Sequence, residues 1–283
     1  TTNTRIKQLV TEKTTPKNRN EQEIAGYRDV LNIIHDSFDA IPITKNYILQ
    51  LHKILYSHMN NPIAGKTKTV QNYISATYPD GHVETLFTPL DPTDTPIALD
   101  CICNEYNRVI GNMEVEPLIA IPTFIHDFLC IHPFLDGNGR MSRLLTTLLL
   151  YRSGYYVGKY ISLEAKIAKN KDLYYDAIYD SQIGWHENEE DATPFIKYLL
   201  STIISAYNDF EERVELVSDK KSSIEVVRMA VNSKLGKFTK RDILELVPSL
   251  SSTSIERSLK ELCDSGIIRK EGVGKSTYYI RLK

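Results

Sequence analysis

Two strongly apolar segments, residues 116–131 and 140–153, flank a short run that is rich in polar residues and glycine. Apolar residues recur in these segments with the spacing of a helix. No apolar run in the chain approaches the roughly 20 residues that a bilayer-spanning helix needs. We therefore expect two buried helices of a globular protein with no membrane partner. The loop that joins them should present its polar side chains in a fixed geometry.

Most of the remaining sequence also has helical periodicity, so the fold is predicted to be mainly α. Further helices are predicted at residues 21–35, 44–58, 96–111, 171–182 and 193–217. Residues 73–88 differ, because β-branched and aromatic residues flank the turn sequence Pro79-Asp80-Gly81. This pattern predicts a β-hairpin. An isolated hairpin is weakly stable, so this one should pack on helices or serve a binding role.

The C-terminal part of the chain has a different pattern. A polar break at residues 218–221 is followed by helical segments at 223–233, 239–246 and 253–265, and then by strands at 266–270 and 276–281. Three helices and a hairpin are typical of a winged-helix domain. We therefore divide the chain into N-terminal helices and hairpin (1–95), a core with the polar loop (96–217) and a winged-helix domain (222–283).

Positive charge is concentrated in this C-terminal part. Residues 222–283 contain 12 Lys or Arg and 7 Asp or Glu, whereas the whole chain has a formal net charge of −2. This asymmetry is compatible with contact to DNA phosphates. The third helix would expose Arg257 and Lys260, and Lys270 and Lys275 would flank the wing. Winged helices also mediate protein contacts or dimers, so DNA and protein partners both stay open.

The four cysteines are Cys101, Cys103, Cys130 and Cys263. They form no Cys-x-x-Cys pair, and their spacing is not typical of a zinc site. A disulfide scaffold is not expected in a chain of this size. We interpret the cysteines as free thiols in a reducing compartment, which favours a cytoplasmic location.

The polar loop has the features of an anion-binding site, and we call residues 137–140 with Arg143 the phosphate cradle. Gly137 and Gly139 have no Cβ, so the backbone can approach a ligand closely. They precede a helix, and a helix N-terminus favours anions. Asn138 adds an amide donor. Arg140 and Arg143 are three residues apart on one helix face, where guanidinium groups can contact phosphate oxygens in bidentate fashion.

Two further side chains of the loop suggest a reaction. Asp136 adjoins the phosphate cradle, and a carboxylate there can hold Mg²⁺ together with phosphate oxygens. His132 can accept a proton near neutral pH. Taken singly, a Gly-Asn-Gly sequence is usually a turn, a histidine is usually structural, and two arginines can be a surface ion pair. Taken together, these groups indicate phosphoryl or nucleotidyl transfer.

The sequence His-Pro-Phe-Leu-Asp-Gly-Asn-Gly-Arg-Met-Ser-Arg at residues 132–143 resembles the signature of the Fic (Fido) family at every fixed position. The pattern of helices and hairpin from about residue 21 to 207 is also similar. Members of this family are helical proteins that use ATP and Mg²⁺ to attach AMP to Ser, Thr or Tyr hydroxyls of proteins. The resemblance therefore implies a protein adenylyltransferase with a protein target.

Residue roles follow from the resemblance position by position. His132 would deprotonate the target hydroxyl, Phe134 would pack into the core and fix the loop, and Asp136 would bind Mg²⁺. The implied phosphate ligands are Gly137, Asn138 and Gly139 for the α- and β-phosphates, Arg140 for the β-phosphate and Arg143 for the γ-phosphate.

Downstream, Tyr174-Tyr175 resembles a Tyr-Tyr pair of many relatives, in which the second tyrosine and an asparagine seven residues later approach the nucleotide. Tyr175 matches that tyrosine, whereas Gln182 stands where the relatives have asparagine. The alternative for Tyr175 is a core aromatic residue. The hairpin at 73–88 is similar to the family's flap, which clamps the target as an added strand; we call it the flap hairpin.

Many relatives also carry an inhibitory helix with the pattern Ser/Thr-x-x-x-Glu-Gly/Asn. No such segment is present in residues 1–283, and we expect it to have preceded Thr1. Two alternatives to AMP transfer stay open. The chain could be a DNA-binding regulator whose Fic-like domain senses nucleotide or modifies itself, or an enzyme that removes AMP from a modified protein. Relatives often form homodimers, and the sequence leaves a monomer and a homodimer both open.

Overall fold

A computed structural model of the chain describes residues 3–11, 14–78, 80–218, 222–234 and 236–282. The chain divides into two units, Thr1–Ala206 and Tyr207–Lys283. The division falls inside a helix, ahead of the polar break that the sequence suggested. Residues 219–221 of that break lie outside the described residues.

The first unit is mainly helical, which confirms the predicted fold class. Its helices are α1 (Asn3–Val10), α2 (Arg19–Ser37), α3 (Lys45–Leu55), α4 (Thr95–Gly111), α5 (Pro117–Ile131), α6 (Asn138–Arg152), α7 (Leu163–Lys169) and α8 (Lys171–Gln182), and α9 (Thr193–Ser218) crosses the division between the units. Two strands, β1 (Ile74–Thr77) and β2 (Val83–Phe87), lie between α3 and α4.

The helix ends follow local sequence signals. Thr44 is the N-cap of α3, and its side chain accepts a hydrogen bond from the Tyr47 N–H. Helix α3 ends at Leu55, earlier than predicted, and α6 begins at Asn138, before the predicted start. The short helices α1 and α7 were not predicted, because so few turns provide little apolar periodicity to recognise.

Helices α2 and α3 approach each other very closely at Gly26. A Cβ atom on Gly26 would lie 2.0 Å from the carbonyl oxygen of Leu55, so a residue with a side chain cannot occupy this position without separating the helices. Tyr56, the residue that follows α3, lies beside the start of α6, where its hydroxyl accepts a hydrogen bond from Arg140.

Helix α6 is buried on almost all sides and forms the centre of the first unit. Its residues Met141, Leu144, Leu145, Leu148 and Leu149 are fully buried. Helix α5 contributes a second apolar surface, and the two helices pack against each other. The loop between them is consequently anchored at both ends by core residues.

The flap hairpin is present where the sequence predicted it. Strands β1 and β2 are antiparallel, with Thr77 opposite Val83 and a register shift between Ile74 and Ser75. Pro79 of the predicted turn lies outside the described residues. The C-terminal end of β2 packs against the segment after α8: the ring of Phe87 stacks on that of His186, with 5.4 Å between the centroids.

The second unit has three further helices and a small sheet. Its elements are α10 (Ser223–Asn232), β3 (Lys237–Phe238), α11 (Lys240–Leu246), α12 (Ser252–Asp264), β4 (Ile268–Glu271) and β5 (Tyr278–Arg281). The strands are antiparallel in the order β3-β5-β4. Strand β3 was not predicted, because two residues show no alternation. The elements follow the predicted order, and the winged-helix assignment stays a prediction.

Within the described ranges, no helix combines the length and apolar character that membrane crossing requires.

Candidate active site

The loop between α5 and α6 has an unusual backbone at both ends. His132 follows the last residue of α5 and is left-handed, with φ 49° and ψ 62°. Gly137 is the N-cap of α6 and is also left-handed, with φ 91°. A residue with a Cβ pays about 1 kcal/mol or more for this conformation, so His132 must be held there by its surroundings.

The His132 imidazole is arranged to accept a proton. Its Nδ1 lies 3.2 Å from the Leu129 carbonyl oxygen. A carbonyl oxygen only accepts hydrogen bonds, so Nδ1 carries the proton and Nε2 keeps its lone pair. Burial, assisted by the nearby Lys68 charge and opposed by the bond to Leu129, lowers the pKa of His132 to about 4. The ring is therefore neutral at physiological pH.

The Asn138 side chain closes the loop on itself, and its contact with phosphate stays a prediction. The side chain is buried, its Oδ1 accepts from the Phe134 N–H at 2.9 Å, and its Nδ2 donates to the Phe134 carbonyl oxygen at 2.7 Å. The amide oxygen and one amide N–H thus hold both backbone groups of Phe134. Contact with a phosphate would fall to the backbone N–H at the start of α6. Phe134 is itself fully buried, as predicted.

Asp136 and Arg140 lie together at the mouth of the loop. The Asp136 Oδ2 is 3.3 Å from the Arg140 Nη2, and Arg140 Nη2 also donates to the Tyr56 hydroxyl at 2.9 Å. Burial would raise the pKa of Asp136, but the Tyr56 hydroxyl and the Arg140 charge outweigh it and lower that pKa below its usual value. Asp136 is consequently an ionised carboxylate, the state that a metal ligand needs.

One guanidinium nitrogen of Arg140 is not fully used by the protein. Within the described part of the chain, the buried Nη1 has no hydrogen-bond partner. The Oε2 atom of Glu23, on α2, lies 3.4 Å from this nitrogen and supplies only an opposite charge. A buried N–H without an acceptor is costly, so this atom is suited to an incoming anion.

Arg143 lies about one turn further along α6, on the same side as Gly139. A Cβ on Gly139 would be 3.5 Å from its Nη1, and its charge acts on the hydroxyl of Tyr27. The two arginines therefore both extend from the first turns of α6. The structure brings Asp136 against Arg140 and Gly137, and Gly139 against Arg143; His132 lies at the other end of the same loop.

The two residues predicted further along the chain have distinct environments. Tyr175 is 54% exposed, so it is not a core residue, and its ring contacts the Lys171 ammonium at 5.4 Å. Tyr174 is the core partner of that pair. Gln182 is buried near the Cys130 thiol, and its Nε2 has no hydrogen-bond partner in the described ranges. The nucleotide contacts of Tyr175 and Gln182 stay predictions.

Sequence reasoning missed a second group of residues, which support the loop from α3. The His52 Nε2 donates to the Asp136 carbonyl oxygen at 3.0 Å, and the Tyr56 ring lies 5.3 Å below the Arg140 guanidinium. His52 lies on the buried face of α3, which is otherwise apolar, and the buried Tyr56 follows four residues later as the C-cap of that helix. The sequence signal that could have revealed them is the presence of two rings with polar atoms, His52 and Tyr56, in an otherwise apolar helical pattern.

Residues 42–150 match the model of the Fic/DOC family. The chain contains a Fic domain. The match begins just before α3 and ends near the C-terminus of α6, so it includes the supporting helix, the flap hairpin and the whole polar loop.

Similar proteins agree with a Fic domain. Protein adenylyltransferase fic-1 of Caenorhabditis elegans is 24% identical over 184 residues, which are 64% of this chain and 32% of that protein. The chain therefore spans about a third of the length of this relative.

Solved structures support the fold. A Fic domain containing signaling protein from Bacteroides thetaiotaomicron has a TM-score of 0.61 and 24% identity, covering 74% of this chain and 79% of the other. A Fic family protein from Desulfovibrio desulfuricans has a TM-score of 0.58 and 20% identity, covering 99% and 81%. The Fic-type fold predicted from the signature is thus confirmed.

Proposed function

We propose that this chain transfers AMP from ATP to a hydroxyl group of a protein. The observation that carries the proposal is the geometry of His132, whose Nδ1 donates to the Leu129 carbonyl oxygen and whose Nε2 therefore keeps a lone pair that can accept a proton. Burial favours the neutral form of this imidazole. Curated relatives named protein adenylyltransferase support the same reaction.

The reaction exchanges one phosphate bond for another. The Nε2 of His132 takes the proton of the target hydroxyl while the hydroxyl oxygen attacks the α-phosphorus of ATP. A new oxygen–phosphorus bond forms, and the bond from the α-phosphorus to the bridging oxygen breaks. AMP stays on the target, and pyrophosphate leaves with the bridging oxygen. A neutral base serves this step better than a protonated one, which fits the low pKa of His132.

The phosphate cradle would hold the triphosphate. By position, Gly137, Asn138 and Gly139 face the α- and β-phosphates through the start of α6. Arg140 would contact the β-phosphate, and its buried Nη1, which lacks a hydrogen-bond partner among the described residues, would gain an acceptor. Arg143 would contact the γ-phosphate.

Asp136 would hold Mg²⁺. No group of three or more His, Cys, Asp and Glu side chains gathers as a metal site within the described ranges, and Mg²⁺ needs only one or two protein carboxylates when phosphate oxygens are present. The ionised Asp136 fits this requirement. When bound, the ion would neutralise charge on the phosphate oxygens.

The target would be a protein segment that carries a Ser, Thr or Tyr hydroxyl. We place it along the flap hairpin, whose side chains are mostly exposed, as in strand addition to a sheet edge. Tyr175 and Gln182 would line the nucleotide side of the same site. Self-modification uses the same chemistry with a hydroxyl of this chain. Homodimer formation and a cytoplasmic location stay predictions.

The test is incubation of the full chain with ATP labelled in the α-phosphate, Mg²⁺ and a cell lysate, followed by mass spectrometry of the labelled proteins. We expect label on a protein hydroxyl with the wild type and no label with His132→Asn. Replacement of His58, which lies outside the polar loop and the flap hairpin and pairs with Asp29, by Asn is the control and should label normally. Equal labelling by His132→Asn and the wild type would remove His132 from the reaction.

The same assay separates the other candidate functions. Incubation of AMP-modified target without ATP tests the removal of AMP. Label on the chain itself tests self-modification. Binding of ATP without any transfer would favour a domain that only senses nucleotide.

We also propose that the second unit contacts DNA. An open groove of about 840 Å³ in this unit is lined by Lys240, Arg241, Lys260 and Lys270 on α11, α12 and β4. Two carboxylates, Glu256 and Asp264, line it as well, which reduces its positive charge. The side chain of Lys275 lies outside the described residues.

Fluorescence anisotropy with a labelled DNA duplex tests this second proposal. Affinity should fall steeply between 50 and 200 mM salt, as it does for proteins that bind phosphates. Removal of the exposed Lys260 charge should weaken binding, and removal of the Lys171 charge in the first unit should not. Affinity that is independent of salt would argue for a protein partner instead.

A further inference from the structure

The C-terminal end of α5 is completed by residues on both sides of the flap hairpin. The last carbonyl groups of a helix have no partners within the helix. The Ile131 carbonyl oxygen accepts from the Lys68 Nζ at 3.0 Å, and the Cys130 carbonyl oxygen accepts from the Leu90 N–H at 3.4 Å. His132 donates to the two carbonyl oxygens before these, from its N–H to that of Phe128 and from its Nδ1 to that of Leu129. The chain segments that enter and leave the flap hairpin thus both attach to this helix end.

Lys68 and Asn72 extend this contact into the loop, and we call this pair the flap-root clamp. The Lys68 backbone N–H donates to the Pro133 carbonyl oxygen at 2.8 Å. The Asn72 Nδ2 donates to the Phe134 carbonyl oxygen at 2.9 Å and lies 3.4 Å from that of His132. Lys68 and Asn72, from the chain segment that precedes β1, thus contact four consecutive carbonyl groups, those of residues 131–134.

The clamp is internally ordered. The Lys68 Nζ also donates to the Asn72 Oδ1 at 3.0 Å, which leaves the Asn72 Nδ2 turned toward the loop. Because an amide oxygen accepts and an amide nitrogen donates, this bond fixes which end of Asn72 faces the loop. Lys68 thus acts both directly on Ile131 and indirectly through Asn72.

Burying the Lys68 ammonium has a cost that ordinary packing would avoid. The side chain is only 2% exposed, and its desolvation lowers the pKa of Lys68 to about 8, with Asp91 opposing the effect. An apolar residue of similar length would fill the same space without desolvation. The positive charge is instead placed at the carbonyl end of α5, where a helix favours a cation.

The backbone that the clamp holds is the backbone of His132. The left-handed conformation of this residue requires support from its surroundings, and the flanking carbonyls are where the clamp binds. Strand β1 begins at Ile74, immediately after Asn72, and β2 ends at Phe87, shortly before Leu90. The flap hairpin and the turn at His132 are therefore joined by hydrogen bonds at both roots of the hairpin.

We propose that Lys68 and Asn72 are positioning residues for His132, and that their hydrogen bonds connect the flap hairpin to the turn at His132. The kinetic part of this proposal rests on the proposed AMP transfer. The clamp contacts the carbonyls before the phosphate cradle and none of its arginines. Loss of the clamp should therefore disturb the step that uses His132 and spare the binding of ATP.

The experiment compares Lys68→Met, Lys68→Arg and Asn72→Ala in the full chain. Lys68→Met keeps the length of the side chain and removes the charge, whereas Lys68→Arg keeps the charge and the donors. Lys66→Met, at an exposed lysine two residues away, is the matched control. The readouts are kcat and the KM for ATP in AMP transfer, the affinity for ATP, and thermal unfolding.

We expect Lys68→Met and Asn72→Ala to lower kcat about 10- to 100-fold, the loss typical of a misplaced catalytic group. The KM for ATP should stay within about two-fold, Lys68→Arg should recover most of the activity, and Lys66→Met should match the wild type. Equal kcat values for Lys68→Met and Lys66→Met would overturn the proposal. So would a parallel loss of kcat and ATP affinity.

A readout that needs no AMP transfer separates this inference from the proposed function. The ¹⁵N NMR signals of the His132 ring in the nucleotide-free chain should report a single Nδ1–H tautomer in the wild type. Asn72 is less buried than Lys68, so folding should depend less on it. In Asn72→Ala, the signals should shift toward a mixture of tautomers. Unchanged ring signals in folded Asn72→Ala would overturn the clamp even if the wild type transfers no AMP.

Discussion

The imidazole of His52 stacks on the phenyl ring of Phe134, with parallel planes and centroids 3.7 Å apart. Both ring nitrogens are used. Nδ1 accepts from the Gly65 N–H at 3.0 Å, and Nε2 donates to the Asp136 carbonyl oxygen at 3.0 Å. A residue on α3 therefore fixes the polar loop from beneath, by ring contact at Phe134 and by a hydrogen bond at Asp136.

Replacement of His52 by Phe should separate these two contributions. The phenyl ring can keep the stack on Phe134, but the Gly65 N–H and the Asp136 carbonyl would lose their partners. We expect a loss of about 1–3 kcal/mol in the free energy of unfolding, the cost of unsatisfied buried polar groups. Urea unfolding measures it, with the exposed His82→Phe as control. Equal stability of the two variants would show that the hydrogen bonds of His52 contribute little.

The stability of the chain should depend on pH through His52. Burial, partly opposed by the bond to Asp136, lowers the pKa of His52 to about 4, whereas an unfolded histidine titrates near about 6.5. As the pH falls below about 6.5, the unfolded state binds a proton that folded His52 does not, so the free energy of unfolding decreases until the pH reaches about 4. His52→Phe lacks this ionisation, and its deficit against the wild type should shrink by up to roughly 2 kcal/mol between pH 7 and pH 5. A constant deficit would contradict the assignment.

Glu23 should compete with phosphate for Arg140. Its Oε2 lies 3.4 Å from the Arg140 Nη1, the nitrogen that lacks a hydrogen-bond partner in the described ranges. Glu23→Gln removes the competing charge, and we expect the Kd for ATP to fall by up to about five-fold, the worth of a partly exposed ion pair. Isothermal titration calorimetry measures the Kd. Glu105→Gln breaks a comparable pair with Arg108 on α4 and should leave the Kd unchanged. Weaker ATP binding by Glu23→Gln would be the contrary result.

Two left-handed glycines provide a matched test of the loop. A Cβ on Gly137 would lie 3.1 Å from the Tyr56 hydroxyl oxygen, whereas a Cβ on Gly154 would meet no atom within 4 Å. Both Ala variants should lose about 1 kcal/mol or more from backbone strain. Gly137→Ala must also displace Tyr56, and we expect it to weaken ATP binding at least about ten-fold through the misplaced Arg140.

Thermal unfolding and calorimetry measure both quantities for the two glycine variants. Gly154→Ala should bind ATP as the wild type does. Normal ATP binding by a folded Gly137→Ala would mean that the contact between the loop and Tyr56 does not set the position of the cradle.

The candidate site divides into a part that the sequence predicts and a part that only the fold assembles. Residues 132–143 are contiguous, so they must share one loop and the first turns of α6, and the order of residue types is enough to indicate their chemistry. His52 and Tyr56 reach the loop from 84 residues away, and Lys68 reaches Ile131 from 63 residues away. No local pattern contains such pairings. Asn138 shows the converse, since its spacing suggested a ligand contact and its side chain closes the loop instead.

The fold shows the same division. Long helices with clear periodicity, such as α8 and α9, were predicted almost to the residue. The two-residue strand β3 is defined by its pairing with β5, and its own sequence carries no alternation to detect.

The missing side chain at Gly26 makes this position a useful marker when Fic sequences are aligned. At Gly26, α2 lies against the Leu55 carbonyl without room for a Cβ. A homologue with a larger residue at this position must therefore have a wider separation between the helices that correspond to α2 and α3. The residue at this one aligned position would then divide homologues into those with a short and those with a long distance between the two helices.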